Sequence, residues 1–136
     1  MTDQRAHLVL ITHGEFGVAL IESAAMILGP LDDVHALSLL PGMDPAALSA
    51  QLVEVLDGCP EGSLVLTDVF GGTPSNVAAA VAVRRGFQVM SGMNLPMVLE
   101  FEMARIGNAD YRERVLSAGA EGVRDINAMM QERKGS

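Results

Sequence analysis

A histidine and an aspartate each follow a short apolar stretch of this sequence. His13 comes at the end of the run at residues 8–12, and Asp68 comes at the end of the run at residues 64–67. Runs of this kind predict β-strands that are buried on both faces, as in a parallel sheet. Open parallel sheets carry their chemistry at the carboxyl ends of their strands. We therefore expect His13 and Asp68 to face each other at one edge of a sheet.

The chemistry that suits this pair is phosphoryl transfer through a histidine nucleophile. Imidazole is largely uncharged near neutral pH, so one ring nitrogen can attack phosphorus while the other keeps its proton. An aspartate that accepts the second N–H fixes the tautomer and stabilises the developing positive charge, and Asp68 is placed for this role. Gly14, next to His13, leaves room for the phosphoryl group of a partner to approach closely.

The residues after Asp68 suit the phosphoryl oxygens. Gly71 and Gly72 predict a turn, and Thr73 and Ser75 lie at the start of a predicted helix. Backbone N–H groups, two hydroxyls and the positive end of the helix dipole would bind an anion there. The stretch therefore predicts a phosphate-binding segment beside the histidine.

Each of these features also has an ordinary structural explanation. A histidine after a strand is usually solvated, and Asp or Gly-Gly-Thr-Pro often only shapes a turn. The joint placement at one sheet edge is what favours a site. His7 and His35 lie at predicted strand starts, the opposite edge, and receive no chemical role, and Cys59 is expected to be a loop thiol without one. No group of His, Cys, Asp or Glu has the sequence spacing of metal ligands, so neither a metal nor a cofactor is expected.

Predicted strands and helices alternate along the chain. Strands are expected near residues 8–12, 34–40, 64–69 and 87–91, and helices near residues 18–28, 45–56, 74–85, 95–106 and 110–119. This alternation predicts an α/β fold, a three-layer open sheet that is mostly parallel. A strand order of 2-1-3-4 would open a crevice between strands one and three at their carboxyl ends. Residues 123–126 are either a short strand or more helix.

Apolar spacing predicts which helix faces point inward. The inward positions are expected to be Val18, Ile21, Ala25 and Leu28 in the first helix, and Leu48, Leu52, Val55 and Leu56 in the second. Asp44 and Pro45 supply an N-cap and a first-turn proline for the second helix. The third helix is almost entirely Ala and Val, so it is expected to lie tight against the sheet and to be covered.

Bulk properties limit the class of protein. The 136 residues fit one domain, 1–136, and the net charge of −8 argues against a nucleic-acid partner, which needs clustered Lys and Arg. The apolar run near the amino terminus is too short for a signal peptide, and none approaches the ~18 residues of a spanning helix. We therefore expect a cytoplasmic protein that is not inserted in a membrane.

Three motifs at three predicted strand ends resemble one known family. They are Thr-His-Gly at residues 12–14, Thr-Asp-Val-Phe-Gly-Gly-Thr-Pro at residues 67–74 and Gly-Met-Asn-Leu-Pro-Met at residues 92–97. Together they resemble the mannose-family enzyme IIA of the bacterial phosphoenolpyruvate-dependent sugar phosphotransferase system. The resemblance covers nearly the whole chain, with the motifs in the right order.

The resemblance implies roles for individual residues. His13 would be the phosphorylated residue, which accepts the phosphoryl group from the carrier protein HPr and passes it to a histidine of enzyme IIB. Asp68 would orient it, the Thr73 hydroxyl would lie near the phosphoryl group, and Asn94 would belong to a loop near the site. The family also implies a homodimer that exchanges a C-terminal antiparallel edge strand, for which residues 123–126 are the candidate.

Two further expectations concern partners and alternatives. Some family members continue through an Ala/Pro-rich linker into a IIB domain, whereas this sequence stops at Ser136, so a separate IIB is expected. A regulatory phosphorylation sensor that binds a partner without sugar transport is an alternative. A histidine phosphatase is another, but it needs an arginine where Thr12 stands, and Arg84, Arg85 and Arg105 fall within or at the end of predicted helices.

Overall fold

A computed structural model describes residues 5–106 and 110–135. The elements in chain order are β1 (Leu8–His13), α1 (Phe16–Leu28), β2 (Val34–Leu39), α2 (Pro45–Asp57), β3 (Leu64–Thr67), α3 (Thr73–Ala78), a π-helical turn (Ala79–Val83), β4 (Gln88–Met90), α4 (Leu95–Ile106), α5 (Arg112–Glu121) and α6 (Ile126–Gly135). The four strands form one parallel sheet in the order β2-β1-β3-β4, which confirms the predicted order.

Helices cover both faces of this sheet, as a parallel sheet requires. Side chains alternate along β1, so Leu8 and Leu10 face one layer while Val9 and Ile11 face the other. The first layer holds α1, α4 and α5, and its largest fully buried side chain is Phe101 of α4. The second layer holds α2 and α3. The α/β architecture with three layers is therefore confirmed.

The second helix forms as predicted. The Asp44 carboxylate accepts the Ala46 N–H at 2.9 Å, and Pro45 follows as the first helical residue. Leu48, Leu52 and Leu56 are buried in the second layer. Val55 is half-buried against the same cluster.

The inward face predicted for α1 is partly right, since Ile21 and Ala25 are half-buried and Ile21 packs against the first-layer core. The most buried face is nevertheless displaced by one position in this helix. Its buried residues are Gly17, Leu20 and Ala24, whereas Val18 and Leu28 are exposed. The reason lies at Gly17, where an added Cβ would lie 3.2 Å from the Leu10 Cβ. A glycine at this position lets the helix backbone approach β1 closely, and that contact sets the rotation of the helix.

The third helix is less covered than expected. Val77, Ala78 and Ala82 are buried, but the opposite side is open to solvent, and Val83 is 54% exposed. The chain changes at Ala79 from α-helical to π-helical hydrogen bonding. Among the described elements this helix contacts chiefly the sheet and α2, which cover one side of it.

Residues 123–126 do not form a strand in this chain. Residues 123–125 are irregular, and α6 begins at Ile126 with the Asp125 carboxylate accepting the Ala128 N–H at 3.0 Å. An aspartate that caps a first turn favours a helix. The exchange of an edge strand in a dimer stays a prediction. No helix within the described residues combines the length and the hydropathy needed to cross a membrane.

A buried ion pair ties α4 to the amino-terminal edge of the sheet. Arg105 is 3% exposed and donates to Glu102 at 2.8 Å. The same guanidinium donates to the backbone carbonyls of Ala6, Asp32 and Asp33. It therefore joins the chain before β1, the chain before β2 and α4 at one point.

Candidate functional site

The sheet brings the two predicted chemical residues together. The parallel register places Ile11 beside Thr67, so the chain leaves β1 and β3 at the same edge. There the Asp68 Oδ2 atom accepts the His13 imidazole Nδ1–H at 2.9 Å and the His13 backbone N–H at 3.0 Å. The second carboxylate oxygen, Oδ1, accepts the Val69 N–H at 3.0 Å. The predicted meeting of His13 and Asp68 is thus seen in the structure.

This geometry assigns different tasks to the two imidazole nitrogens. Because Nδ1 donates to a carboxylate, the neutral ring carries its lone pair on Nε2. The His13 side chain is 51% exposed and that of Asp68 is 12% exposed, so the ring reaches solvent while its anchor is shielded. The site therefore presents a nucleophilic nitrogen with a fixed direction.

The charge of Asp68 suits this arrangement. Burial on its own raises the pKa of the carboxyl group, but the hydrogen bonds from the His13 amide and imidazole outweigh burial, and the pKa is lowered. Asp68 is therefore ionised at neutral pH. A carboxylate beside the ring stabilises positive charge on it.

Gly72 lies directly against the imidazole. A Cβ added at this residue would lie 2.6 Å from His13 Cε1 and 3.1 Å from Nε2. The first distance is shorter than side-chain contacts allow, so glycine is required for the ring to hold this position. Gly14 and Gly71 act differently, since each has a positive φ, at 55° and 93°, with open space where a side chain would point.

Thr12 is a positioning residue that the sequence analysis missed. Its hydroxyl is fully buried, donates to the Gly14 carbonyl at 3.1 Å and accepts the Gly17 N–H at 3.1 Å. It thereby holds the turn between His13 and α1. A threonine at the end of an otherwise apolar strand could have indicated this role, because a buried hydroxyl needs hydrogen-bond partners nearby.

The histidine opens onto a shallow pocket of about 400 Å³. The lining residues are His13, Gly14, Leu39, Leu40, Pro41, Gly42, Met43, Pro45 and Thr73. Thr73 therefore lies at the site as predicted, whereas Ser75 is half-buried and does not line this pocket. No arginine or lysine is among the described residues that line it.

The Asn94 side chain is engaged in contacts within the fold. Its Oδ1 accepts the Met97 N–H at 3.1 Å at the start of α4, and its Nδ2 donates to the Gly119 carbonyl at 2.9 Å. These bonds join α4 to the end of α5. No recorded contact joins Asn94 to His13 in the part of the chain that is described.

Two of the three arginines considered for a phosphatase, Arg85 and Arg105, are engaged elsewhere, and the third, Arg84, is exposed and does not line the pocket in front of His13. Arg105 is buried at the amino-terminal edge of the sheet, and Arg85 pairs with Asp57, the last residue of α2, at 2.5 Å. Neither guanidinium contacts His13. This geometry gives no support to the phosphatase alternative.

Comparison with known proteins agrees with the geometry. The family model described as "PTS system fructose IIA component" matches residues 7–118. The mannose-specific EIIAB component of Escherichia coli K12 is 33% identical over 129 residues, covering 89% of this chain and 39% of that protein. This chain therefore spans well under half the length of that relative. The fructose-specific EIIA component of Bacillus subtilis is 36% identical over 95 residues, 68% of this chain and 65% of that protein.

Solved structures show the same fold. Phosphotransferase system component EIIA from Streptococcus agalactiae has a TM-score of 0.85 at 28% identity, covering 90% of this chain and 98% of that one. The mannose/sorbose-specific IIA subunit from Enterococcus faecalis has a TM-score of 0.78 at 26% identity, with coverage of 89% and 94%. The likeness extends over nearly the whole of both chains.

Proposed function

This chain belongs to the mannose-type EIIA family of the phosphotransferase system, and on that premise we propose that it is a phosphocarrier phosphorylated on His13. In this proposal His13 accepts the phosphoryl group from phospho-HPr and passes it to a histidine of enzyme IIB. The observation that carries the proposal is the hydrogen bond from His13 Nδ1 to Asp68, which leaves Nε2 as the exposed nucleophile.

The transfer needs no proton to enter or leave this site. The Nε2 lone pair forms a bond to phosphorus as the bond between phosphorus and the HPr histidine breaks. The ring then bears positive charge, and Asp68 stabilises it through the Nδ1–H that it already accepts. The second transfer reverses these changes as the phosphoryl group moves to the IIB histidine. Catalysis thus rests on positioning and charge stabilisation.

The phosphoryl oxygens are proposed to bind at the turn before α3. Gly72 contacts the imidazole on its Nε2 side, and Thr73 lines the pocket in front of it. The helix start has no side-chain cap, so the backbone N–H groups of Thr73 and Ser75, on either side of Pro74, are available to an anion. Ser75 belongs to the same first turn, and Gly14 and Gly71 keep the approach free of side chains.

Exposed apolar residues around the histidine suit protein partners. Phe70, two residues after Asp68, is 86% exposed, and Phe16 at the start of α1 is 48% exposed. Leu40, on the rim of the pocket, is 45% exposed. Apolar side chains grouped around a reactive group are typical of a protein docking surface. A phosphohistidine donor or acceptor on another protein would dock there.

The test is the intact mass of the protein after incubation with phosphoenolpyruvate, enzyme I and HPr. We expect one acid-labile phosphoryl adduct on the wild type and none on His13→Ala, with unchanged far-UV circular dichroism in the variant. Because the His13 ring lies at the surface, its removal leaves the core intact.

Either of two results would contradict the proposal. One is an adduct that persists in His13→Ala, and the other is an unphosphorylated wild type while the same relay phosphorylates another EIIA. Adding an enzyme IIB then tests the second step, since loss of the adduct from this chain must match its appearance on IIB. A homodimer also remains part of this proposal, and light scattering would measure it.

A further inference from the structure

We propose that His7, His35 and Cys59 form a binding site for a transition-metal ion of the zinc class at the amino-terminal edge of the sheet. The site lies at the edge opposite to His13. The function proposed above does not require it. Their ligand atoms, an Nδ1 or Nε2 from each histidine and the cysteine Sγ, all lie within 4.8 Å of one another.

The fold brings these residues together although they are far apart in sequence. His7 precedes β1. His35 belongs to β2, where it pairs with Val9 of β1 on the sheet face that packs against α2. Cys59 follows the end of α2. The parallel pairing of β1 with β2 therefore places both imidazoles beside the α2 terminus.

The distance between the two imidazoles fits a shared ion. His7 Nδ1 lies 3.1 Å from His35 Nε2, and the rings are tilted by 32° with centroids 5.2 Å apart. Two nitrogens bound to one tetrahedral Zn²⁺ lie roughly 3.3 Å apart, and a nitrogen and a thiolate roughly 3.6 Å. The nitrogens are already at that separation. The thiol, which donates to the Val55 carbonyl at 3.3 Å, must release this bond and its proton to reach the ion.

A carboxylate stands behind the first histidine in the position that metal sites use. Asp33 Oδ1 lies 3.5 Å from His7 Nε2, the ring nitrogen that does not face His35. This separation is an ion-pair contact and not a hydrogen bond. In the proposed metal-bound state the carboxylate accepts the Nε2–H, which keeps the lone pair on Nδ1 and orients the ring toward the ion.

The backbone around the three ligands is already fixed. The Ser63 hydroxyl is fully buried, accepts the His7 backbone N–H at 2.8 Å and donates to the Pro60 carbonyl at 2.8 Å. This one side chain thus joins the segment before β1 to the loop that carries Cys59. Cys59 also lines a pocket of about 320 Å³ that opens to solvent, so an ion can approach the site from the side of the thiol. Water in the fourth position completes a tetrahedral site.

Cobalt(II) is the probe for this site because it replaces zinc and absorbs visible light. With untagged, reduced protein we expect one Co²⁺ per chain, a thiolate-to-cobalt charge-transfer band, and displacement of the Co²⁺ by Zn²⁺. Cys59→Ser should abolish the charge-transfer band, and His35→Gln should weaken binding at least tenfold. Asp33→Asn should weaken it by about 10- to 100-fold.

His13→Ala is the matched control, because it removes a histidine outside the cluster and should bind Co²⁺ like the wild type. The alkylation rate of the Cys59 thiol in the wild type gives a readout that does not depend on variants, and Zn²⁺ should slow it at least tenfold. Absence of binding at micromolar Co²⁺ and Zn²⁺, or a wild-type affinity retained in both Cys59→Ser and His35→Gln, would overturn the proposal.

Discussion

One carboxylate oxygen contacts both the backbone and the ring of the histidine that we propose to be phosphorylated. Asp68 Oδ2 accepts two hydrogen bonds from the same residue, one from its backbone and one from its ring. The hydrogen bond from the backbone N–H fixes the position of the His13 main chain, and the hydrogen bond from Nδ1 fixes the rotation of the imidazole. Stabilisation of charge then comes without reorganisation, because the carboxylate is already ionised and in contact.

Asp68→Asn should slow phosphorylation of His13 by roughly 100-fold or more. The amide oxygen can still accept a hydrogen bond, so the fold should persist, but it carries no charge to stabilise the phosphorylated ring. The measurement is the initial rate of adduct formation with phospho-HPr. Asp57→Asn changes an exposed carboxylate on α2 and should keep the wild-type rate. Equal rates in the two variants would contradict the role of Asp68.

Gly72→Ala tests the contact between the turn and the ring. The new methyl group would lie 2.6 Å from His13 Cε1, so either the imidazole or the turn must move. We expect phosphorylation to slow by about 10- to 100-fold, since small misplacements of reacting groups are costly. Gly58→Ala is the control, because its nearest neighbour would be the Val55 carbonyl oxygen at 3.6 Å. Phosphorylation rates of Gly72→Ala and Gly58→Ala that agree within twofold would refute the steric argument.

At this scale the sequence predicted that His13 and Asp68 meet, but it did not predict the contacts around them. His13 and Asp68 were found because each follows a buried strand, and parallel strands end at one edge. The contact of Gly72 with the imidazole depends on the path of the turn, which no local pattern specifies. The hydrogen bond from Asn94 to Gly119 joins residues 25 positions apart, and no local sequence pattern predicts such a contact.

Single helices in this fold are positioned by a few specific contacts. The start of α5 is one example, where the Tyr111 hydroxyl donates to the Gly62 carbonyl at 2.8 Å and the ring packs edge-on against Phe101. Burial, followed by the nearby charge of Asp110, raises the pKa of Tyr111 to about 12. The phenol is thus held neutral in the folded chain.

The raised pKa of Tyr111 predicts how stability depends on alkaline pH. An unfolded tyrosine ionises near pH ~10, whereas the folded phenol stays neutral until about pH 12. The unfolded state therefore releases its proton first, and the free energy of unfolding should fall as the pH rises from ~10 toward 12. Below pH ~10 the contribution is fully present.

An ultraviolet titration measures this directly, because the sequence has one tyrosine and no tryptophan. The folded protein should show the phenolate absorbance rising near pH 12, and the protein in denaturant should show it near pH ~10. Tyr111→Phe should lose this part of the pH dependence of stability. Coincident titration curves for folded and denatured protein would be the contrary result.

Element types and order were predictable, but helix rotation was not. The alternation of short apolar runs with helical segments predicted the parallel sheet, and the strongly apolar run at residues 8–12 predicted that β1 is a central strand. In α1 the positions at residues 18, 21, 25 and 28 and those at residues 17, 20 and 24 have similar helical spacing. Packing density decides between them, and here the absence of a side chain at Gly17 outweighs the apolar surface of Val18.

Across the whole molecule, the two edges of the sheet are built differently. The carboxyl edge carries the exposed histidine and glycine turns, whereas the amino edge is joined by buried polar contacts. Arg105 is central to the amino edge, since its side chain is 1% exposed and its guanidinium is bound to Glu102 and three backbone carbonyls.

Arg105→Met should lower the free energy of unfolding by about 3–5 kcal/mol, because it leaves Glu102 buried without its cation. Urea denaturation would measure this as a lower midpoint. Arg114→Met breaks a more exposed pair, with Glu100, and should cost no more than ~1 kcal/mol. Similar losses in the two variants would show that the burial of Arg105 does not matter.

The amino edge also shows what sequence spacing cannot reveal about a whole fold. His7 and His35 are 28 residues apart, so no motif of neighbouring ligands marks them. Only the register of β1 against β2, with the return of the chain after α2, brings Cys59 to the same place. A group of metal-ligand side chains that only the strand order and register bring together can be identified from the three-dimensional structure but not from sequence spacing.

The shared oxygen of Asp68 has a consequence for spectroscopy. Since the His13 amide proton and the imidazole proton point at the same atom, a change of charge on the ring alters the field at the amide. The amide resonance of His13 thus becomes a built-in reporter of phosphorylation. Its chemical shift and its exchange with deuterium would report the phosphorylation state of the protein, without any label placed at the reacting nitrogen.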